Sequence, residues 1–155
     1  MPNKTLSSCK INGYKNSKDR LTVGVVANAS GCDKPKLVVI SKFKKPRCFS
    51  PNFNPNTLVH YFNNKKAWMT VDIFSKWIEQ FDNNFRIQNR KVLLIVDNAA
   101  GHGTSDELNS KLTNIKIQFL PPNTTSHLQP LDAGIIKNLK VFYKKALISH
   151  FILII

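Results

Sequence analysis

Two aspartates, Asp97 and Asp132, occupy positions from which a chain can deliver carboxylates to a shared site. Asp97 lies in KVLLIVDNAAGH, residues 91–102, directly after the apolar run Val92-Leu93-Leu94-Ile95-Val96. Asp132 lies in LPPNTTSHLQPLDAGII, residues 120–136, where a Pro/Asn/Thr turn gives way to a helix start. A charge at the C-terminal end of a strand is where open α/β sheets present chemistry to solvent. Carboxylates delivered there suit a hard cation such as Mg²⁺ or Mn²⁺, which takes oxygen ligands and keeps positions for water and phosphate. With a second ion about 4 Å away, one metal activates an attacking oxygen and the other stabilises the leaving one, which is the chemistry of nucleases and strand transfer. Each acid also has a plainer use: Asp97 as a turn residue bonding its own backbone, and Asp132 as a favourable charge at a helix N-terminus.

The elements that would position these acids follow from periodicity. Residues 21–29 and 35–41 have strand composition with Ser30-Gly31 between them, which predicts an antiparallel pair. Residues 42–64 carry Pro46, Pro51, Pro55 and many Asn, and read as a loop. Its Phe43, Phe49, Phe53, Tyr61 and Phe62 either stack on bases or pin the loop to the body. Over residues 69–85, Ile73, Phe74, Trp77, Ile78 and Phe81 form one apolar face at helical spacing, with Thr70 as N-cap and Asp72 in the first turn. The unbroken run 92–96 predicts a strand buried on both faces. A short helix over 105–112, a strand over 115–120 and a long helix over 133–150 complete the order. Ile135, Ile136, Leu139, Phe142, Tyr143, Ala146 and Leu147 are expected on the inward face of that last helix. Strands alternating with helices predict an α/β domain, helices covering a sheet.

A chain of 155 residues, 42% apolar, is enough for one domain with a real core. Its 23 Lys and Arg against nine Asp and Glu, net +14, call for a polyanionic partner, nucleic acid first; the bland alternative is a solvated basic surface. Candidate contacts are Lys42, Lys44, Lys45 and Arg47 in the loop, and Lys137, Lys140 and Lys144 on the last helix. Cys9, Cys32 and Cys48 lack C-x-x-C spacing and read as reduced thiols; His60, His102, His127 and His150 lack the spacing of a structural zinc module. No secretory signal opens the chain, and the closing FILII, residues 151–155, falls far short of the roughly 18–20 apolar residues of a membrane span. Its bare apolar end suggests that the natural helix continues.

Taken together, KDRLTVGVVANASG (18–31), NKKAWMT (64–70), VLLIVDNAAGH (92–102) and FLPPNTTSHLQPLDAGIIKNLKVFYKK (119–145) resemble the DDE domain of pogo/Tigger-type transposases. That group of the Tc1/mariner superfamily includes Jerky and centromere protein B. The resemblance implies an RNase H-like fold, a mixed sheet flanked by helices, spanning residues 13–147 between an irregular 1–12 and an apolar tail at 148–155. It implies Mg²⁺- or Mn²⁺-dependent DNA cutting and joining, with the second and third catalytic acids at Asp97 and Asp132. It also implies DNA as partner, a nuclear location, and room for a homodimer. The helix-turn-helix region that precedes this domain in the family has no counterpart here.

The departure from the family lies at its first acid, which belongs to an N-x-D-E-T-type segment on the first, central strand. Here none of residues 1–12 is acidic, and the acids before the long helix are Asp19, before the first strand, and Asp33, in the turn after it. Residues 5–12, TLSSCKIN, are the remaining candidates for that strand. Three functions follow: a transposase-derived domain that binds nucleic acid and is inactive with two of three acids, a domesticated non-catalytic DNA-binding module, or an active metal-dependent endonuclease.

Overall fold

The computed structural model describes residues 20–122, 129 and 131–153. The expectations placed on 1–19, including residues 5–12 and Asp19, and on most of the Pro/Asn/Thr turn, lie outside the described residues. The remainder forms a mixed α/β arrangement of two small sheets and three helices.

In the first sheet, β1 (Thr22–Gly24) pairs antiparallel with β2 (Val38–Ser41), as the two strand-like runs predict. On its other side β2 pairs in parallel with β3 (His60–Asn63), so that Val38 faces His60 and Ser41 faces Asn63. This strand lies inside the stretch expected to be loop. Its apolar run is too short and too closely flanked by Asn to signal a strand locally, and the free edge of β2 supplies the missing ladder. A 3-10 turn at Pro55–Thr57, capped by Asn54, precedes it, and Asn56 accepts the Tyr61 N–H to aim the strand. Of the loop aromatics, Phe49 is held edge-on between Phe53 and Tyr61, the pinning role, whereas Phe43 stays exposed.

The long helix α1 (Val71–Ile87) starts at the expected cap, where the Thr70 hydroxyl accepts the Ile73 N–H at 3.4 Å. Asp72 in its first turn pairs with Lys76 at 2.9 Å. Its periodic face is the core: Ile73, Phe74, Trp77, Ile78 and Phe81 are all buried, with Trp77 stacked on Phe81. They pack with Val38 and Ile40 of β2 and with Leu108, Ile115 and Ile117, so one helix serves both sheets. Ile78 is fully buried, and truncating it to alanine costs roughly 2–5 kcal/mol through lost burial and the cavity left behind.

The second sheet is the parallel pair β4 (Val92–Val96) and β5 (Ile115–Phe119), joined through α2 (Ser105–Asn109). Asn109 locks α2 to β5 by receiving the Ile117 N–H at 2.7 Å and donating to the Ile117 carbonyl. The expectation that β4 is buried on both faces does not hold. Val92, Leu94 and Val96 pack on the core, but Leu93 and Ile95 are 59% and 60% exposed. An apolar run reports that both faces avoid water, and among the described residues nothing covers the second one.

The last helix is corrected in the same way. A wide turn at Leu131–Ile135, broken at Gly134, leads into α3 (Ile136–Ile152), which buries no residue. Of the face expected to point inward, Ile136 and Leu139 are half-buried, whereas Ile135, Phe142, Tyr143, Ala146 and Leu147 are exposed. Helical spacing makes a stripe, but burial needs an opposing surface. No helix among the described residues is long and apolar enough to cross a membrane.

Candidate acid site and nucleic-acid interface

The site begins with β4 pairing in parallel with β5: the Leu120 N–H bonds the Val96 carbonyl at 2.8 Å, holding the strand to its last residue. Asp97 therefore leaves the sheet at a fixed point. The chain then folds back through a 3-10 turn, Ala100–His102, which returns the His102 ring to Asp97. His102 Nδ1 lies 3.2 Å from the Asp97 carbonyl oxygen and 2.9 Å from its Oδ1. Nδ1 thus faces both the backbone and the side-chain oxygen of Asp97. Oδ1 is buried and has no aligned hydrogen bond among the described residues; its polar neighbour is that ring nitrogen.

Helix α1 fixes this turn from behind. The His102 ring packs on Phe74, centroids 4.6 Å apart. Gly101 abuts residue 69 so closely that an added Cβ would lie 2.8 Å from the Met69 carbonyl oxygen, which leaves room for no side chain. Gly103, at φ 75°, adopts a backbone conformation that side chains disfavour. His102 was passed over in the sequence because no second histidine stands at ligand spacing; its relation to Asp97 is made by the turn. Its signal was the short D-x₄-H interval after a strand.

Asp132 occupies the first turn of the segment leading to α3 and is exposed. Its N–H bonds the Gln129 carbonyl at 3.1 Å, and Gln129 Oε1 is a second buried acceptor without a partner. Among the described residues no group of three or more His, Cys, Asp or Glu is placed to hold a metal. The orphaned Oδ1 of Asp97 fits a hard cation, since an unsatisfied buried carboxylate oxygen is stabilised by one, but the set around it is partial. Asp33 is engaged elsewhere, in an ion pair with Arg90 at 2.8 Å.

The expected nucleic-acid contacts are accessible. Lys42, Lys44, Lys45 and Arg47 are exposed on the segment after β2, where Lys45 bonds the Pro51 carbonyl and Lys42 lies over Phe43. Lys137, Lys140 and Lys144 are exposed on α3. Cys32 and Cys48 are exposed free thiols.

Comparison with known proteins places these features in a family. Residues 18–154 match the family model described as DDE superfamily endonuclease. The chain is 35% identical over 135 residues to Tigger transposable element-derived protein 4 of Mus musculus, covering 87% of this chain and 25% of that protein. It is 35% identical over 156 residues to CENP-B homolog protein 2 of Schizosaccharomyces pombe, covering 97% and 30%. It is 32% identical over 156 residues to ARS-binding protein 1 of the same yeast, again covering 97% and 30%. The chain thus spans less than a third of the length of these relatives. No solved structure matches.

Proposed function

The chain belongs to the DDE superfamily endonucleases, and from that premise we propose that it is a transposase-derived domain that binds DNA and, as these 155 residues, does not cut it. The observation that carries this reading is Asp97, held at the end of a parallel strand with a buried oxygen that has no aligned hydrogen bond and faces the His102 ring at 2.9 Å. Such an oxygen is kept for a ligand rather than for the fold. Asp97 and Asp132 are the acids that would hold Mg²⁺ or Mn²⁺, and the cation would stabilise charge developing on phosphate oxygens. Two acids do not complete the site, and none of residues 1–12 is acidic, so no catalytic step is assigned.

The same reading gives the architecture over residues 13–147 as an RNase H-like sheet whose first strand is not among the described residues. Among the described residues, β1 pairs only with β2, and β4 only with β5. One strand laid between β1 and β4 would join the two sheets into one, ordered β3, β2, β1, the added strand, β4 and β5. It would carry its acid to the side of Asp97. The net charge of +14 supports DNA as partner through phosphate contacts, and a DNA partner supports the nucleus as location.

A nicking assay on supercoiled DNA with Mg²⁺ or Mn²⁺ tests the catalytic half of this reading. No cleavage is expected; metal-dependent nicking that Asp97→Ala abolishes would overturn it. The binding half predicts affinity that falls steeply with salt and survives both Asp97→Ala and Asp132→Ala. Absence of binding at physiological salt would reduce the charge to an unspecific surface property.

A further inference from the structure

Beside the acid site the structure displays an indole. Trp68 is 58% exposed, whereas Trp77 is core. Exposing a tryptophan forgoes a large burial energy, and the backbone that carries this one is held in place. The Asn64 side chain accepts the N–H groups of Lys66 and Trp68 at 3.1 and 3.2 Å and donates to the Trp68 carbonyl at 2.6 Å. Between them, Ala67 is buried at φ 53°, and its carbonyl accepts the Thr22 hydroxyl at 2.7 Å. The next residue, Met69, is the one against which Gly101 of the Asp97 turn is pressed. The segment that carries Trp68 thus touches the turn that follows Asp97.

The surroundings select the ligand. Lys66 Nζ lies 5.6 Å from the Trp68 ring centroid. Phe43 repeats the arrangement, exposed with Lys42 Nζ at 5.4 Å, and the β2–β3 ladder brings that end of β2 alongside Asn64 through the Asn64 N–H to Ser41 carbonyl bond. From residue 34 to residue 71 the chain has eight Lys and Arg and no acid. An exposed aromatic face on an ordered backbone, within a segment of cations and no acid, suits an unpaired base with its flanking phosphates, because every base has a face to stack and every linkage a charge to pair. A base inside an intact duplex offers no such face.

We infer that Trp68 is a stacking platform for an unpaired base of the DNA strand, next to the Asp97 turn, and that it makes the protein prefer single-stranded or locally opened DNA. The inference rests on the DNA-binding reading above and adds a residue and a strand preference to it. Lys66 supplies the charge for an adjoining phosphate. The backbone around the ring is already ordered and loses little conformational freedom on binding, which favours affinity.

Tryptophan emission of the full chain titrated with a thymidine oligonucleotide and with a blunt duplex provides the test, because Trp77 is shielded in the core. Quenching by the single strand is expected to exceed that by the duplex. Trp68→Ala is expected to weaken single-strand binding by about ten-fold or more while leaving duplex affinity and the salt slope as in the wild type; Trp68→Phe retains most of the binding. Circular dichroism of both variants shows that they fold. If the wild type binds both DNAs with a steep salt slope and Trp68→Ala binds the single strand equally well, the stacking inference is overturned and the DNA-binding reading stands. If the wild type binds neither DNA, both fall.

Discussion

Asp82 and Asp97 flank the same pair of parallel strands at opposite ends, and their oxygens are treated in opposite ways. Asp82, on α1, is 5% exposed and receives the N–H groups of Thr113, Asn114 and Ile115 together with the Thr113 hydroxyl, at 2.7 to 3.3 Å. Burial pushes its carboxyl up, but those four donors outweigh the effect and hold it below the usual carboxylate range. The carboxylate thereby ties the helix to the start of β5, next to the Val92 N–H to Asn114 carbonyl bond that opens the ladder. Asp97, at the far end, keeps a buried oxygen that no hydrogen bond reaches. A carboxylate saturated by backbone donors belongs to the fold, and one left open has valence to give to a ligand. The cation-binding role proposed above therefore falls on Asp97 rather than on the more buried Asp82.

Substitution at Asp82 should produce the largest effect in this contrast. Asp82→Ala strands several donors at once, the buried Ile115 N–H among them, and is expected to cost roughly 2–4 kcal/mol in urea unfolding. A loss under 1 kcal/mol would remove Asp82 as the anchor. Because its carboxyl is held below its ordinary value, the unfolded chain takes up the proton first as pH falls. Its stabilisation is therefore complete above about pH 4 and is lost as the pH falls through the folded value. Acid titration of unfolding should show this decline in the wild type and a shallower one in Asp82→Asn.

Gly101→Ala is expected to cost about 1–3 kcal/mol, because its Cβ would meet a backbone oxygen that cannot swing aside. It should also displace the His102 ring, seen as altered exchange of its imidazole resonances; an unperturbed ring would mean that the turn is not set by this contact. Asp97→Asn is expected to change stability by less than about 0.5 kcal/mol, since no backbone donor loses its partner and the His102 ring keeps its contact with the residue 97 carbonyl. A loss as large as that of Asp82→Ala would erase the contrast and make Asp97 structural.

Much of the fold was legible wherever the signal is local. The β4 run has the limits read from composition, 92–96. Thr70 caps α1 because its hydroxyl serves a donor three residues on, and the α1 stripe is buried because a 17-residue helix covers both sheets. β3 was not legible, since its pairing depends on the edge of β2, twenty-two residues earlier in register. The relation of His102 to Asp97 depends on a turn that Gly101 can make only against Met69. Trp68 stood within a family-like segment, yet its display follows from Asn64 bonding forward to residues 66 and 68.

By itself the amino-acid sequence determined the kinds of element, the cationic balance, the family and the two acids set in its motifs, because these depend on residue type and short spacing. Only the tertiary structure decided which apolar faces are covered, that one carboxylate is saturated and the other open, and which aromatic ring is held out to solvent. Burial and hydrogen-bond satisfaction are properties of pairs of surfaces, and the partner of each surface is set by how the chain returns to it.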